Sequence, residues 1–438
     1  MAAVMAHKGH TVIGVDVKPA YVEAIQQGRS PVKETGLAEM IQANRARLSA
    51  TLDCEEAVLA SDITFIMVPT PSNPDGMFSM RYVLSAAEKI GAALRKKTDW
   101  HLVTLSSTVM PGSTGCRLLP ALEAYSGKKS GQDFGLCYNP EFIALGSVIR
   151  DMLSPDMILI GESDERSGGI LESLYRAACE SDPRIQRMNF VNAELTKISV
   201  NTFVTTKISY ANMLAQVCET LPGADVDVVT AAIGCDSRIG KKYLKGALGY
   251  GGPCFPRDNA AFSALARTNG VPAILAEATD RLNRRQAPRL SEMILSRLPP
   301  NGTAGILGLS YKADTDVVEE SQGLAIAQQL AASGARVVVY DPHAMENAKP
   351  YLIGNVVFAA SAAECARQAD VLAITTPWAE FRGIQASDLK RAAARPIVVD
   401  CWRLLDRAAI GDAAEYVGLG FGAGKPPRCA GEADAESA

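Results

Sequence analysis

The stretch Gly334-Ala-Arg-Val-Val-Val-Tyr-Asp341 decides the fold, because the chain contains its pattern twice. The earlier copy is Gly9-His-Thr-Val-Ile-Gly-Val-Asp16, again a glycine turn, an apolar strand rich in β-branched residues and an aspartate. A second repeated pair, Asp62–Pro69 and Asp370–Pro377, keeps the same interval from aspartate to proline. Short apolar runs separated by helical patterns are typical of buried parallel strands. The sequence therefore predicts an α/β protein with two doubly wound, Rossmann-like domains.

The two copies differ where they begin. The later copy opens with the strand Thr303-Ala-Gly-Ile-Leu-Gly-Leu-Ser310, whereas the earlier copy opens with a predicted helix, Ala2 to Lys8. The missing strand would lead into the G-x-G-x-x-G turn that cradles the pyrophosphate of a dinucleotide. We expect a native start upstream of Met1; the alternative is a shortened protein with a damaged cofactor site.

Three residues remain of the predicted cofactor site. Asp16 ends a strand where a carboxylate would bond the adenosine ribose and repel a 2′-phosphate, which favours NAD over NADP. Thr70 and Thr108 follow two further strands, and ligands of open α/β sheets bind at such carboxyl ends. A purely structural role stays open for each of them, because aspartates cap strand ends and hydroxyls satisfy loop backbone.

Composition limits the possible classes of function. A chain of 438 residues suffices for roughly two to three domains. The formal charge of -4 gives no case for nucleic acid or an anionic membrane. No apolar run reaches the roughly 20 residues of a membrane span. The 10 cysteines are scattered and the 4 histidines form no cluster, which predicts a cytoplasmic protein without a metal site.

A second informative stretch is Gly251-Gly-Pro-Cys-Phe-Pro-Arg-Asp258. Glycines let backbone N–H groups approach a ligand closely, and an adjacent guanidinium favours the nucleophilic thiolate over the thiol. An isolated cysteine is more often a buried structural residue. The glycine pair before Cys254 and the pair Arg257 and Asp258 after it favour a reactive thiol.

The middle of the chain predicts a long helix from about Ala193 to Leu221, with Asn192 as its N-cap. Lys197 and Asn201 are four residues apart and therefore share a face of this helix. Their neighbours are apolar or small, which indicates that the cation is held for a purpose, although a solvated edge is the alternative. Residues 224–249 look like a helical hairpin that returns the cysteine loop to this face.

Several motifs are shared with one enzyme family: Glu194-x-x-Lys197-x-x-x-Asn201, Lys207-Ile-Ser-Tyr-Ala-Asn212, Arg238-Ile-Gly240, Gly251–Asp258, Val68-Pro-Thr-Pro71, Asn139-Pro-Glu-Phe142, Gly308-Leu-Ser-Tyr-Lys312 and Trp378-Ala-Glu-Phe-Arg382. Together they resemble the UDP-glucose/GDP-mannose dehydrogenase family. The resemblance covers nearly the whole chain, apart from the first strand and the tail after about Gly424.

The resemblance implies an NAD-dependent, two-step oxidation of the C6 primary alcohol of a nucleotide-diphosphate sugar to the uronic acid. Asp258 would be the base of the first step, and Cys254 would form a thiohemiacetal and then a thioester. Lys197 would stabilise the oxyanions together with Asn201. Glu141 would direct water at the thioester, and the implied catalytic set is completed by Thr108.

The resemblance also implies binding roles. Lys312 and Arg238 would contact the substrate, the latter across a dimer interface, and Gly251 and Gly252 would line the substrate site. Arg257 replaces a lysine usual in the family and is assigned to the cofactor. The long helix builds a dimer in this family, so we expect a homodimer or a higher homo-oligomer.

The expected domains are an NAD-binding domain at 1–190, a central helical and dimerisation domain at 191–295, a nucleotide-sugar-binding domain at 296–424 and a disordered tail at 425–438. Two positions depart from the family. Leu145 stands where a glutamate near the cofactor is usual, and Glu319 stands where an arginine is common. A charge reversal near phosphates weakens binding, so the sugar and the nucleotide base stay open.

Two other functions remain as alternatives. One is a hydroxyacid dehydrogenase of the 6-phosphogluconate type, which shares the Lys-x-x-x-Asn helix but transfers one hydride and needs no thiol. The other is a non-catalytic, sugar-nucleotide-binding remnant that cannot hold NAD. The ratio of NADH formed to substrate consumed separates the first from a two-step enzyme, and the sequence upstream of Met1 decides the second.

Overall fold

The structure, a computed structural model, describes residues 1–390 and 395–424. These residues form two compact units. Unit 1 is Met1–Val200 with Ala261–Pro272, and unit 2 is Asn201–Ala260 with the described residues from Ala273 onward. The division into three domains at 190 and 295 stays a prediction, and the predicted tail at 425–438 lies outside the described residues.

Unit 1 is an α/β unit. In chain order its elements are α1 (Ala2–His7), β1 (Val12–Val15), α2 (Pro19–Gln26), α3 (Leu37–Ala43), β2 (Leu48–Thr51), α4 (Cys54–Leu59), β3 (Ile63–Ile66), α5 (Arg81–Lys96), β4 (His101–Leu105), α6 (Leu119–Ser126), β5 (Phe134–Tyr138), α7 (Val148–Leu153), β6 (Met157–Glu162), α8 (Glu165–Ala178), β7 (Arg184–Met188) and the start of α9 (Phe190–Thr220).

The strands of unit 1 form two separate sheets. β1 pairs with β2, and the other sheet has the order β3-β4-β5-β6-β7. All neighbours are parallel except β5 and β6. Within the described ranges, no strand pairs with the edge of β1 that faces away from β2, or with the edge of β3 that faces away from β4. The sheet is thus divided at the place where the earlier sequence copy has no opening strand.

Unit 2 contains the later sequence copy. Its elements after α9 are α10 (Val226–Gly234), α11 (Phe255–Thr268, which continues into unit 1), α12 (Ile274–Arg284), α13 (Gln286–Leu295), β8 (Thr303–Leu307), α14 (Gln322–Ala332), β9 (Arg336–Tyr340), α15 (Met345–Ala348), β10 (Val356–Phe358), α16 (Ala362–Gln368), β11 (Val371–Ile374), α17 (Ala386–Leu389), β12 (Ile397–Asp400), α18 (Arg407–Ile410) and β13 (Glu415–Gly418).

The sheet of unit 2 is parallel throughout and has the order β10-β9-β8-β11-β12-β13. Numbered from its own first strand this is 3-2-1-4-5-6, the order of a dinucleotide-binding fold. Successive strand residues belong to separate core clusters: Ile306, Val339 and Ala373 to one, and Leu307, Val338 and Leu372 to the other. Helices therefore cover both faces, and the predicted doubly wound fold is confirmed.

The long helix begins earlier than predicted. α9 starts at Phe190, and the backbone carbonyl of Asn189 accepts the first helical bond, from Ala193 N. The side-chain Oδ1 of Asn189 also accepts from the N–H of Asn192 at 2.9 Å. Asn189, and not Asn192, is therefore the N-cap, because a cap residue satisfies these free donors.

The predicted helical hairpin at 224–249 has only one helical arm. α10 ends at Gly234, and residues 235–254 are turns and loops. Gly240 and Tyr243 have φ values of 72° and 63°. Such left-handed residues interrupt a right-handed helix, so the second arm does not form.

Candidate active site

In unit 1, the loop after β5 and helix α9 bring two predicted catalytic residues together. Lys197 is 8% exposed, and its Nζ donates to the backbone carbonyl of Glu141 at 2.7 Å. The same ammonium lies 4.5 Å from the ring centroid of Phe142, a cation–π contact. Lys197 therefore holds the start of the loop that carries Glu141.

The carboxyl group of Glu141 is in an unusual environment. Its Oε1 is buried and has no hydrogen-bond partner among the described residues. Burial raises the pKa of Glu141, and the positive charge of Lys197 opposes that rise. A carboxylate with a raised pKa is a stronger base, which suits a group that must take a proton from water.

The threonine loops of unit 1 are bonded to each other. Thr70 is 4% exposed, and its hydroxyl donates to the backbone carbonyl of Thr108 at 2.7 Å. Ser107 links the same two loops, because its Oγ donates to Val68 O at 2.7 Å and accepts from Val68 N at 2.9 Å. Thr70 and Thr108 thus lie next to each other in the loops that follow β3 and β4, and their role towards the cofactor stays a prediction.

Glu194 is a buried residue whose role the sequence did not indicate. It is 0% exposed on α9, and its two oxygens accept from Gly112 N at 2.6 Å and Thr114 N at 2.7 Å. Burial raises the pKa of Glu194, while these hydrogen bonds oppose the rise. The carboxylate therefore holds the loop that follows Thr108.

Asp16 at the end of β1 has the environment of a ligand-binding carboxylate. Its Oδ1 accepts from Lys18 N at 2.8 Å. Its Oδ2 makes no hydrogen bond to any residue in the described part of the chain. This free oxygen fits the ribose hydroxyls of NAD. In unit 1, Asp16 and the threonine loops are the groups that would hold NAD, and these roles stay predictions.

In unit 2, Cys254 is exposed and immediately precedes α11. Its backbone carbonyl accepts from Asp258 N at 2.8 Å, so the thiol stands at the N-terminal end of a 14-residue helix. The helix dipole there stabilises a thiolate. This position agrees with the nucleophilic role predicted for Cys254.

Asp258 lies one turn further along α11 and is 1% exposed. Its Oδ2 accepts from the side-chain amide of Asn201 at 2.6 Å, and its Oδ1 lies 3.3 Å from Nη2 of Arg257. The structure therefore brings these three predicted residues together. Arg257 pairs with a catalytic candidate here, and its predicted role towards the cofactor stays a prediction.

The glycine pair before Cys254 is closely packed. A Cβ on Gly251 would lie 2.2 Å from Glu320 O, and one on Gly252 would lie 2.5 Å from Cε2 of Tyr311. Gly252 also has φ +82° and donates to Glu319 O at 3.0 Å. Only glycine fits at either position.

Two asparagines hold the backbone that leads into this pair. Asn212 bonds Ala247 N and Leu248 O, both at 2.9 Å. Asn283 accepts from Tyr250 N at 2.8 Å and donates to Tyr250 O at 3.0 Å. The sequence indicated Asn212 only as part of a motif and did not indicate Asn283, because their partners lie 33 to 36 residues away.

Two further predicted residues of unit 2, Lys312 and Arg238, make contacts with neighbouring residues in the sequence. Lys312 Nζ lies 5.9 Å from the ring centroid of Tyr311. Burial, followed by the charges of Cys254 and Tyr243, raises the pKa of Tyr311 to about 12. Arg238 is exposed and pairs locally with Asp236 at 2.6 Å. The substrate-binding roles of Lys312 and Arg238 stay predictions.

The two departures from the family have different surroundings. Leu145 is half-buried in the loop that carries Glu141. Glu319 has an exposed side chain, and it is its backbone carbonyl that bonds Gly252.

Among the described residues, no group of three or more His, Cys, Asp or Glu side chains could hold a metal ion. No helix within those residues is long and apolar enough to cross a membrane.

Known protein families account for this arrangement. Residues 1–179, 191–285 and 305–407 match the NAD binding, central and UDP binding domains of the UDP-glucose/GDP-mannose dehydrogenase family. The chain belongs to this family. It is an oxidoreductase with the NAD-binding domain of nucleotide-sugar dehydrogenases, and its third matched domain supports a nucleotide-sugar substrate.

Individual relatives agree with this assignment. The chain is 36% identical to UDP-glucose 6-dehydrogenase AglM of Haloferax volcanii over 411 residues, 93% of this chain and 94% of the relative. It is 35% identical to GDP-mannose 6-dehydrogenase of Azotobacter vinelandii over 344 residues, 78% of each chain. A solved UDP-glucose dehydrogenase of Pyrobaculum islandicum has a TM-score of 0.84 at 36% identity, covering 96% of this chain and 94% of that one.

Proposed function

We propose that this dehydrogenase oxidises the C6 primary alcohol of a nucleotide-diphosphate sugar to the uronic acid, in two steps, through a thioester on Cys254. The observation that carries the proposal is the placement of Cys254 at the N-terminal end of α11, with Asp258 one turn away and bonded to Asn201. A single oxidation to an aldehyde needs no such thiol. Relatives named for UDP-glucose and for GDP-mannose leave the sugar and the base open.

The first step removes a hydride and a proton from the alcohol. NAD, when bound, accepts the hydride in each of the two oxidations. Asp258 takes the hydroxyl proton, directly or through water, and its bond from Asn201 directs its carboxylate. The carbonyl oxygen that develops negative charge is stabilised by Lys197 and Asn201, which stand one turn apart on α9.

The second step uses the thiol. The thiolate of Cys254 adds to the aldehyde carbon, and the resulting thiohemiacetal loses a hydride and a proton to become a thioester. Water then attacks the thioester carbonyl, with Glu141 taking a proton from that water and Thr108 holding it. The carbon–sulfur bond breaks, and the acid and the free thiol are released. In the overall balance the alcohol carbon is oxidised to the acid, water supplies the second oxygen, and two NAD are reduced to two NADH with release of two protons.

Stoichiometry and substitution test this proposal together. With UDP- and GDP-sugars assayed in turn, the accepted substrate gives two NADH per acid formed. Cys254→Ser stops acid formation, because an alkoxide is not formed at neutral pH as readily as a thiolate. Cys235→Ser, which changes another exposed cysteine of unit 2, is the matched control and retains activity. Unimpaired acid formation by Cys254→Ser, or one NADH per substrate, contradicts the mechanism.

A homodimer or higher oligomer is the assembly we propose, as the family resemblance implies. Large apolar side chains are exposed to solvent in the single chain on the unit 2 part of α9, just after it and on α10: Phe203, Tyr210, Met213, Val217, Leu221 and Val228. Exposed apolar side chains in such number favour association with another copy of the chain. Light scattering of the wild type and of Phe203→Glu tests it, and a monomeric wild type would contradict it.

The cytoplasmic location stays a prediction from the cysteine content.

A further inference from the structure

Glu34 lies far from every predicted site residue in sequence, yet it contacts the loop that carries Glu141. Its Oε2 accepts from Gly146 N at 2.8 Å, and its Oε1 accepts from Val148 N at 3.0 Å. These partners are 112 and 114 residues away along the chain. Both oxygens of one carboxylate are therefore used to hold two backbone donors of one loop, as charge-assisted bonds.

The side chains of the loop and of α7 make different contacts at this place. Ser147 is the N-cap of α7 but makes no side-chain cap bond. Its hydroxyl donates instead to Asp151 Oδ2 at 2.8 Å, and the same oxygen accepts from Ala144 N at 3.0 Å. Asp151 thus ties the loop to its own helix, while Glu34 satisfies the first free N–H of α7 from outside. Glu34 is the contact that ties this end of the loop to another element.

Glu34 is itself held in a fixed turn between α2 and α3. Its carbonyl accepts from Leu37 N at 3.2 Å, and Gly36, with φ +74°, precedes α3. A Cβ on Gly36 would lie 3.7 Å from Cδ1 of Ile149, so this turn packs directly on α7. The carboxylate is therefore presented from a turn with little freedom to move.

The other end of the loop is anchored near β5. Asn139 is 2% exposed, donates to Leu159 O at 2.9 Å and accepts from the hydroxyl of Tyr175 at 2.5 Å. Between Asn139 and Gly146, the carbonyl of Glu141 is fixed by Lys197 at 2.7 Å. The orientation of Glu141 thus depends on an anchor on each side, and Glu34 provides the downstream one.

We infer that Glu34 is a positioning residue for the hydrolytic step, which it serves by holding the loop of Glu141 through Gly146 and Val148. The inference rests on the proposed role of Glu141. It assigns Glu34 to thioester hydrolysis and not to either hydride transfer, because the residues of unit 2 that form the thioester lie outside the loop it holds. The turn before α3 thereby becomes part of the machinery for the second half of the reaction.

The experiment compares Glu34→Ala with the wild-type enzyme in pre-steady-state and steady-state assays. A loosened loop misplaces Glu141, and a misplacement of about 1 Å costs roughly tenfold to a hundredfold in rate. We expect the initial burst of NADH to persist, acid release to slow about tenfold or more, and acyl-enzyme on Cys254 to accumulate in quenched samples analysed by mass spectrometry. The KM for the sugar nucleotide changes little.

Two further variants separate positioning from general instability. Glu34→Gln keeps one acceptor oxygen but turns an NH₂ towards one of the two N–H donors, so its acid release falls between those of the wild type and Glu34→Ala. Glu39→Gln, an exposed carboxylate in the first turn of α3, is the matched control and leaves all rates unchanged. A Glu34→Gln enzyme that loses burst and acid release in equal proportion has lost fold or binding, and overturns the inference.

A double-mutant cycle gives the decisive result. If Glu34 acts through Glu141, then Glu34→Ala adds less than about twofold to the loss already caused by Glu141→Gln. A full additional loss overturns the inference while leaving the role of Glu141 intact. If Glu141→Gln itself leaves hydrolysis unchanged, the proposed mechanism fails at that residue, and the role of Glu34 fails with it.

Discussion

The two sequence repeats end in the same residue type, but Asp16 and Asp341 have opposite surroundings. Asp341 is 1% exposed, and both of its oxygens are saturated. Its donors, at 2.8 to 3.1 Å, are Leu309 N, Ser310 N, Ser310 Oγ, Trp378 Nε1, His343 N and Ala344 N. Asp16 accepts only from Lys18 N within the described residues.

Three of the hydrogen bonds to Asp341 come from the loop that follows β8. β8 leads directly into Leu309 and Ser310, whose donors reach Asp341. In the earlier repeat, Asp16 accepts from a single donor among the described residues, the backbone N–H of Lys18. One sequence pattern therefore serves packing in one copy and leaves a carboxylate open to a ligand in the other.

The largest effect on activity is expected at Glu141, whose buried Oε1 has no hydrogen-bond partner among the described residues. Glu141→Gln lowers acid formation about a hundredfold or more, because a general base is lost. Since burial raises the pKa of Glu141, the wild-type rate falls on the acid side at a pH above the usual carboxylate range. Rates of acid formation against pH test this. Glu380→Gln, in unit 2, is the control; an unchanged acid limb in Glu141→Gln would refute the assignment.

Asp341→Ala is expected to cause the largest loss of stability. It leaves several buried donors unpaired, so the free energy of unfolding falls by about 3 kcal/mol or more. Urea denaturation measures the change, and Asp341→Asn, which retains one acceptor oxygen, loses less. A loss below about 1 kcal/mol would show that Asp341 is as dispensable to the fold as Asp16 is predicted to be.

Asp16→Ala should weaken the binding of NAD and leave the free energy of unfolding almost unchanged. The KM for NAD rises about tenfold to thirtyfold, because a hydrogen bond to a charged group is lost. The free energy of unfolding changes by about 0.5 kcal/mol or less, as for most surface substitutions. Initial rates at varied NAD and a denaturation curve check both parts. A large stability loss with an unchanged KM would remove the contrast between the two repeats.

The smallest effect is expected from substitutions in the glycine turn that both repeats contain. Gly9 and Gly334 have φ +96° and +85°, and an added Cβ at either meets nothing within 4 Å. Gly9→Ala and Gly334→Ala should therefore each cost about 1 kcal/mol through backbone strain alone. Denaturation of the two variants side by side checks the equality. A several-fold larger cost at one turn would mean that the turns are not equivalent.

The sequence predicts what depends on local pattern. The parallel strands, the glycine turns and the cysteine loop all follow from short motifs, and the structure has them at the predicted positions. Glu34 and Glu194 were not predicted as positioning groups, because their hydrogen-bond partners are 80 to 114 residues away in the sequence. Local sequence patterns do not indicate contacts between residues so far apart along the chain. The prediction of a second helix in the hairpin at 224–249 was wrong, because Tyr243 adopts a left-handed conformation that few L-residues take.

The crowding around Gly251 and Gly252 restricts how this enzyme can be altered. The glycine pair fits against the backbone at Glu320 and the ring of Tyr311, with no room for a side chain. A library that changes the residues around Gly251 and Gly252 but keeps Tyr311 and Glu320, or the reverse, will mostly contain variants with steric clashes. Redesign of this region must therefore vary residues 249–254 and 311–320 together, or leave both segments unchanged.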